Sequence, residues 1–172
     1  DVYESNIDVN TMSPLKFKRR VNEGGYKINR DYDFVPEQKK VFSHERKKLY
    51  ETLENPQDMI SSFYFLRTID FAKAKPGDVF TVNTFMDYKN HPFKVKYLGE
   101  ETIEVDAGKF ACFKFVPVVQ TGRVFKSEDD LQVWVTKDHN KIPVLVKADI
   151  IVGSVKMELT DLKNVANPLA KR

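Results

Sequence analysis

Cysteine occurs once, at Cys112, so the chain can form no intrachain disulfide and no C-x-x-C or zinc-ribbon framework. A lone cysteine inside an apolar run reads as a small core side chain rather than a nucleophile. Histidine occurs at three positions, His44, His91 and His139, each among polar or turn residues with no second donor at strand or helix spacing; this argues against a metal centre. No uncharged run reaches the ~18 residues of a membrane span, so no transmembrane segment is expected. The chain opens at Asp1 with no methionine and no basic-then-apolar leader, which makes a mature or shortened product the expectation. An excess of one charge is also missing: 28 basic against 25 acidic side chains leave +3, too balanced to call for nucleic acid or an anionic membrane. No motif calls for a cofactor.

What is present is the composition of a folded protein. With 172 residues, 41% hydrophobic and 31% charged, one domain with its own core is expected. Its span is set at residues 1–163, followed by a loose tail at 164–172. Residues 1–8 read as a strand. Leu15, Phe17 and Val21 alternate with Lys16, Lys18 and Arg20, and Tyr26, Ile28, Tyr32 and Phe34 continue the same phase after Glu23-Gly24-Gly25; this is a hairpin. A polar strand is expected at 40–46, fading towards Leu53. The period then changes. Asn55 suits an N-cap, Pro56 the first helical position and Asp58 the first turn, so a helix is expected over 56–69 with Met59, Phe63 and Leu66 as its central stripe. From Lys75-Pro76-Gly77-Asp78 onward a meander follows, with strands at 79–86, 92–98, 102–106, 110–120, 131–136, 142–152 and 154–162. The fold expected is mainly β: an antiparallel barrel or half-barrel, a curved meander sheet with one substantial apolar helix packed on it.

Few clusters have chemical spacing. Ser43-His44-Glu45 holds hydroxyl, imidazole and carboxylate, but neighbours on a strand point to opposite faces and cannot form a triad. Glu128-Asp129-Asp130 lacks the alternating donors and glycine of a calcium loop and reads as a solvated turn. Lys16, Lys18, Arg20, Lys39, Lys40, Arg46, Lys47 and Lys48 make the first third basic, as an exposed sheet face that resists edge pairing or as a patch for phosphate head groups.

The phrases Glu23-Gly24-Gly25-Tyr26, Phe63-Tyr64-Phe65-Leu66-Arg67, Lys75-Pro76-Gly77-Asp78, Gly122-Arg123-Val124-Phe125, Asp129-Asp130-Leu131, Val133-Trp134-Val135 and Ile142-Pro143-Val144 together resemble the DUF3108 family. That is an exported bacterial domain of unknown function common in the Bacteroides group. The resemblance implies a signal peptide and further strands upstream of Asp1, with residence in the periplasm or cell envelope. It implies no activity and no catalytic residue.

The aromatic content carries the functional expectation, with 13 Phe and 7 Tyr beside a single Trp. Residues 110–119 are apolar on both faces, Phe113 and Phe115 one way, Cys112, Val116 and Val118 the other, and a two-faced strand needs two covers. Met59, Phe63 and Leu66 are expected to lie over Phe113, Phe115 and Trp134, either as a dry second core or as a groove for a lipid or other apolar ligand. The leading expectation is therefore a non-enzymatic binding or carrier module of the bacterial envelope, holding an apolar ligand or a segment of a partner protein. A structural or assembly module docking through an open sheet edge is the second, and a hydrolase with residues upstream the third.

Overall fold

The computed structural model describes residues 1–118, 130–150 and 153–172. The expected end of the 110–120 strand, the Gly122-Arg123-Val124-Phe125 phrase, most of Glu128-Asp129-Asp130 and the end of the 142–152 strand lie outside the described residues. The chain divides into two compact units, Asp1–Ile69 with Thr81–Phe93, and Asp70–Phe80 with Lys94–Arg172.

The first unit is built on a five-stranded antiparallel sheet in sequence order: β1 (Val2–Ile7), β2 (Pro14–Glu23), β3 (Tyr26–Val35), β4 (Lys40–Ser43) and β5 (Lys48–Glu51). The Gly24-Gly25 turn takes positive φ at both positions, 54° and 88°, the twist a two-residue hairpin needs, and it sets Glu23 opposite Tyr26. That register places Phe17, Val21, Ile28, Tyr32 and Phe34 on one face, where they are buried as the period of two predicts. The polar stretch expected as one strand is two, because the chain reverses between Ser43 and Lys48 with Lys47 at φ 50°.

No substantial apolar helix is present among the described residues. The helix α1 spans Ser61–Leu66, six residues, and a single 3-10 turn at Pro36–Gln38 is the other helical piece among the described residues. The start of α1 is late because the backbone of Gln57 is engaged in a parallel β-bridge with Thr84, accepting from Phe85 N–H and donating to Asn83 O, both at 2.8 Å. Asp58, not Asn55, then organises the turn that leads into it: its carboxylate accepts from the N–H groups of Ile60 (2.7 Å) and Ser61 (2.8 Å), while Ser61 Oγ accepts from Asp58 N–H (2.8 Å). Burial raises the Asp58 carboxyl above its usual range against these bonds and one from Ser5. The buried side chains of α1 are Ser61 and Ser62, whereas Phe63 and Tyr64 are 56% and 47% exposed. The expected orientation is thus reversed, since the short serines fit beside the buried Asp58.

The hairpin formed by β6 (Val79–Met86) and β7 (Lys89–Val105) contributes Phe85 to the core of the first unit. Its turn residues Asp87 and Tyr88 both take positive φ, 47° and 68°. Tyr88 is held there by its surroundings: its hydroxyl donates to Glu45 (2.8 Å), and the guanidinium carbons of Arg30 and Arg46 lie 4.6 and 3.6 Å from its ring centre. Arg19 and Arg30 stand opposite each other on the inward face of β2 and β3, and both pair with Asp87, at 3.5 and 3.0 Å.

The second sheet has six strands in the order β11-β10-β9-β8-β7-β6, with β8 (Gly108–Pro117), β9 (Leu131–Thr136), β10 (Pro143–Asp149) and β11 (Ser154–Glu158). The two strands expected at 92–98 and 102–106 are one 17-residue strand, β7, whose register slips between Tyr97 and Gly99. Neither sheet closes into a barrel. Closure needs the outermost strands to pair. Short strands with regular turns suit a barrel and an open meander equally, and the chain between β5 and β6 starts a new sheet instead of completing the old one.

Both faces of β8 are covered, as its apolar run requires. Phe113 and Phe115 pack with Phe71 and Tyr97 at ring separations of 4.7 to 6.1 Å. On the other face Phe110 and Cys112 join Trp134, Val144 and Leu145, with Leu159, Leu162 and Leu169 laid against them. The terminal segment hydrogen-bonds to this unit. Asn167 N–H donates to Asn140 Oδ1 (2.9 Å), Ala170 N–H to Asp138 (2.8 Å), Ala111 N–H to Ala170 O (2.9 Å) and Arg172 N–H to Lys109 O (2.9 Å).

Candidate functional site: the outer edge of the second sheet

The six residues singled out for an apolar ligand fall in separate environments. Met59, Phe63 and Leu66 belong to the first unit, and Phe113, Phe115 and Trp134 to the second. Met59 packs on the Phe17, Tyr32 and Phe85 cluster, and Phe63 stacks edge-on against Phe93 at 5.6 Å. Phe113 and Phe115 are brought together, 6.5 Å apart. Trp134 is not with them: β9 pairs with β8 so that Trp134 stands opposite Lys114, on the face of Cys112. It is 3% exposed, its Nε1–H donates to Glu101 (2.7 Å), and the ammonium groups of Lys114 and Lys147 lie 4.9 and 5.5 Å from its ring centre. Burial works to raise the Glu101 carboxyl, but the Lys114 and Trp134 donors outweigh it and hold the group below its usual range. Phe113, Phe115 and Trp134 are buried, whereas Phe63 is exposed.

The other sequence candidates are equally occupied. Cys112 is fully buried, and burial pushes its thiol up to about 11, so it is not a thiolate at neutral pH. The basic stretch is partly neutralised: Arg20 pairs with Asp31, Lys39 with Glu54 (2.7 Å) and Lys40 with Glu51 (3.8 Å). His44 bonds Asp33 at 2.7 Å instead of joining Ser43 and Glu45. Among the described residues no group of three or more His, Cys, Asp or Glu side chains is placed to hold a metal ion, and no helix is long and apolar enough to cross a membrane. A cleft of about 380 Å³ in the second unit is lined by Thr102, Glu104, Lys109 and Arg172, a polar set unlike an apolar ligand groove.

β11 is different in kind. All five of its residues are exposed, with Val155 at 50% and Met157 at 61%, and it ends the strand order. It pairs antiparallel with β10, Leu145 opposite Glu158 and Asp149 opposite Ser154. Leu159 N–H donates to Val144 O (2.9 Å) and Ile150 N–H to Gly153 O (3.1 Å), which marks residues 153 and 159 as facing β10. Antiparallel positions alternate. Val155 and Met157 therefore direct their backbone to β10, and Ser154, Lys156 and Glu158 direct theirs outward. Their side chains alternate too, Lys156 and Glu158 on one face, 2.6 Å apart, and Val155 and Met157 on the other. The edge was not singled out from the sequence, although the symmetric run Val155-Lys156-Met157-Glu158-Leu159 is legible there.

No curated protein and no solved structure matches the chain. A family model, protein of unknown function (DUF3108), matches residues 1–160, so both sheets and the β11 edge fall within it, and the chain belongs to that family.

Proposed function

We propose that this chain is a non-enzymatic binding module of the bacterial envelope that takes up an extended segment of a partner polypeptide by strand addition along β11. The observation that carries the reading is an edge strand whose outward N–H and C=O groups are unpaired among the described residues, with no buried side chain and with apolar Val155 and Met157 on one face. Main-chain groups in such an edge supply affinity, and alternate side chains supply selectivity. The alternative, a carrier enclosing an apolar ligand, has less support, since the aromatic surplus is absorbed in close ring contacts within each unit.

The test is photo-crosslinking in cells from a residue placed at Ser154, beside the Lys156→Pro variant. Proline removes an outward N–H and leaves the inward pairs to β10 intact. The expected result is a discrete polypeptide adduct in the envelope fraction that disappears in Lys156→Pro. An adduct unchanged by proline, or none, overturns strand addition; recovery of the chain in the cytosolic fraction overturns the envelope assignment.

A further inference from the structure

We infer that one occupant of the β11 edge is the β11 of a second copy of this chain, paired antiparallel about a two-fold axis at Met157. The inference rests on the strand-addition reading and names its partner. A two-fold axis makes each side chain face its own mirror position, so charge selects the register. Centring on Lys156 sets two lysines against each other. Centring on Glu158 does the same with two glutamates. Centring on Met157 sets Lys156 of each copy opposite Glu158 of the other, Met157 opposite Met157, and Val155 opposite Leu159.

The backbone agrees with that register. Lys156 and Glu158 carry the outward N–H and C=O groups, so they form the hydrogen-bonded pairs, and Met157, which faces β10, falls at the close non-hydrogen-bonded position between them. Lys156 and Glu158 already pair within one strand at 2.6 Å. Pairing two copies exchanges two intrastrand contacts for two interstrand ones and covers Val155 and Met157 on the opposite face. A lysine on an edge ordinarily deters pairing. Here Glu158 two residues away makes that deterrent selective: a second copy in this register sets each charge opposite its complement. A contact of about five residues per chain falls short of the ~1,200 Å² of a standard interface, so the dimer is weak and concentration-dependent.

Two measurements on the full chain test this. In Met157→Cys the two thiols face each other at the ~4.5 Å Cα separation of a non-hydrogen-bonded pair, within disulfide range, and Cys112 is buried out of reach. Mild oxidation should give a covalent dimer from Met157→Cys and at least 5-fold less from Val155→Cys, whose copies are offset along the strand. Charge variants followed by sedimentation make the second test. Lys156→Glu alone and Glu158→Lys alone should each lose self-association, whereas a mixture of the two, or the double swap in one chain, should restore it. Equal cross-linking at 155 and 157, or a mixture no more associated than its parts, overturns the register. A chain that stays monomeric while its Ser154 adduct to another polypeptide still vanishes in Lys156→Pro overturns self-pairing alone. Loss of both overturns strand addition as well.

Discussion

β8 and β11 lie in the same sheet and obey opposite rules. β8 buries side chains on both faces, Phe113 and Phe115 on one and Phe110 and Cys112 on the other, and its neighbours include rings, leucines and the chain terminus. β11 buries nothing and, among the described residues, one side of its backbone is unpaired. The sequence of β8 is accounted for by the hydrophobic effect and close packing. That of β11 is not, because no packing requirement places Val155 and Met157 in water with Lys156 and Glu158 behind them. Interaction is best sought where the fold leaves a sequence unexplained.

The contrast fixes an order of expected effects. Phe110→Ala should be the most damaging, by about 3–5 kcal/mol in urea unfolding, since the ring is fully buried within the Cys112, Trp134, Val144 and Leu145 cluster. Next comes Asp138→Ala, which removes the carboxylate holding the terminal segment over β8. Burial works to raise that carboxyl, but donors from Ala170, Thr136, Asn140 and Lys141 outweigh it and keep it below its usual range. A depressed native value means the stabilisation is complete above about pH 4 and is lost as pH falls through the native value, so wild type should lose more melting temperature than Asp138→Ala between pH 6 and 3. At neutral pH the variant should be less stable by about 1–2 kcal/mol. Met157→Ala should shift stability by less than about 0.5 kcal/mol by the same measure, because no core contact is removed. A large loss there would make β11 a structural strand and erase the distinction.

The parts of the fold readable in the sequence are those set by neighbours along the chain. The hairpin at Gly24-Gly25 follows from two residues free to take positive φ between alternating strands, and β9 occupies the expected residues, Leu131–Thr136. What was not readable depended on distant partners. Asn55 and Pro56 look like a helix start, but Gln57 pairs with β6, and that non-local bond decides where the helix begins. Trp134 looks equivalent to Phe113 and Phe115 until the register of β8 with β9 assigns it to the other face. Regular turns do not say whether a meander closes, so the expectation of a barrel or half-barrel left closure open, and the two sheets stay unclosed. The β11 edge shares this property: its alternation is local and legible, while its place at the end of the strand order is set by the whole sheet.

Backbone amide exchange across β11, read at increasing protein concentration, is the most direct measurement. In dilute solution the amides of Ser154, Lys156 and Glu158 should exchange freely while those of Val155 and Met157 are slowed by β10; concentration should slow the first set and leave the second unchanged. Protection of Ser154, Lys156 and Glu158 already in dilute solution, or exchange indifferent to concentration, would contradict an open, self-complementary edge.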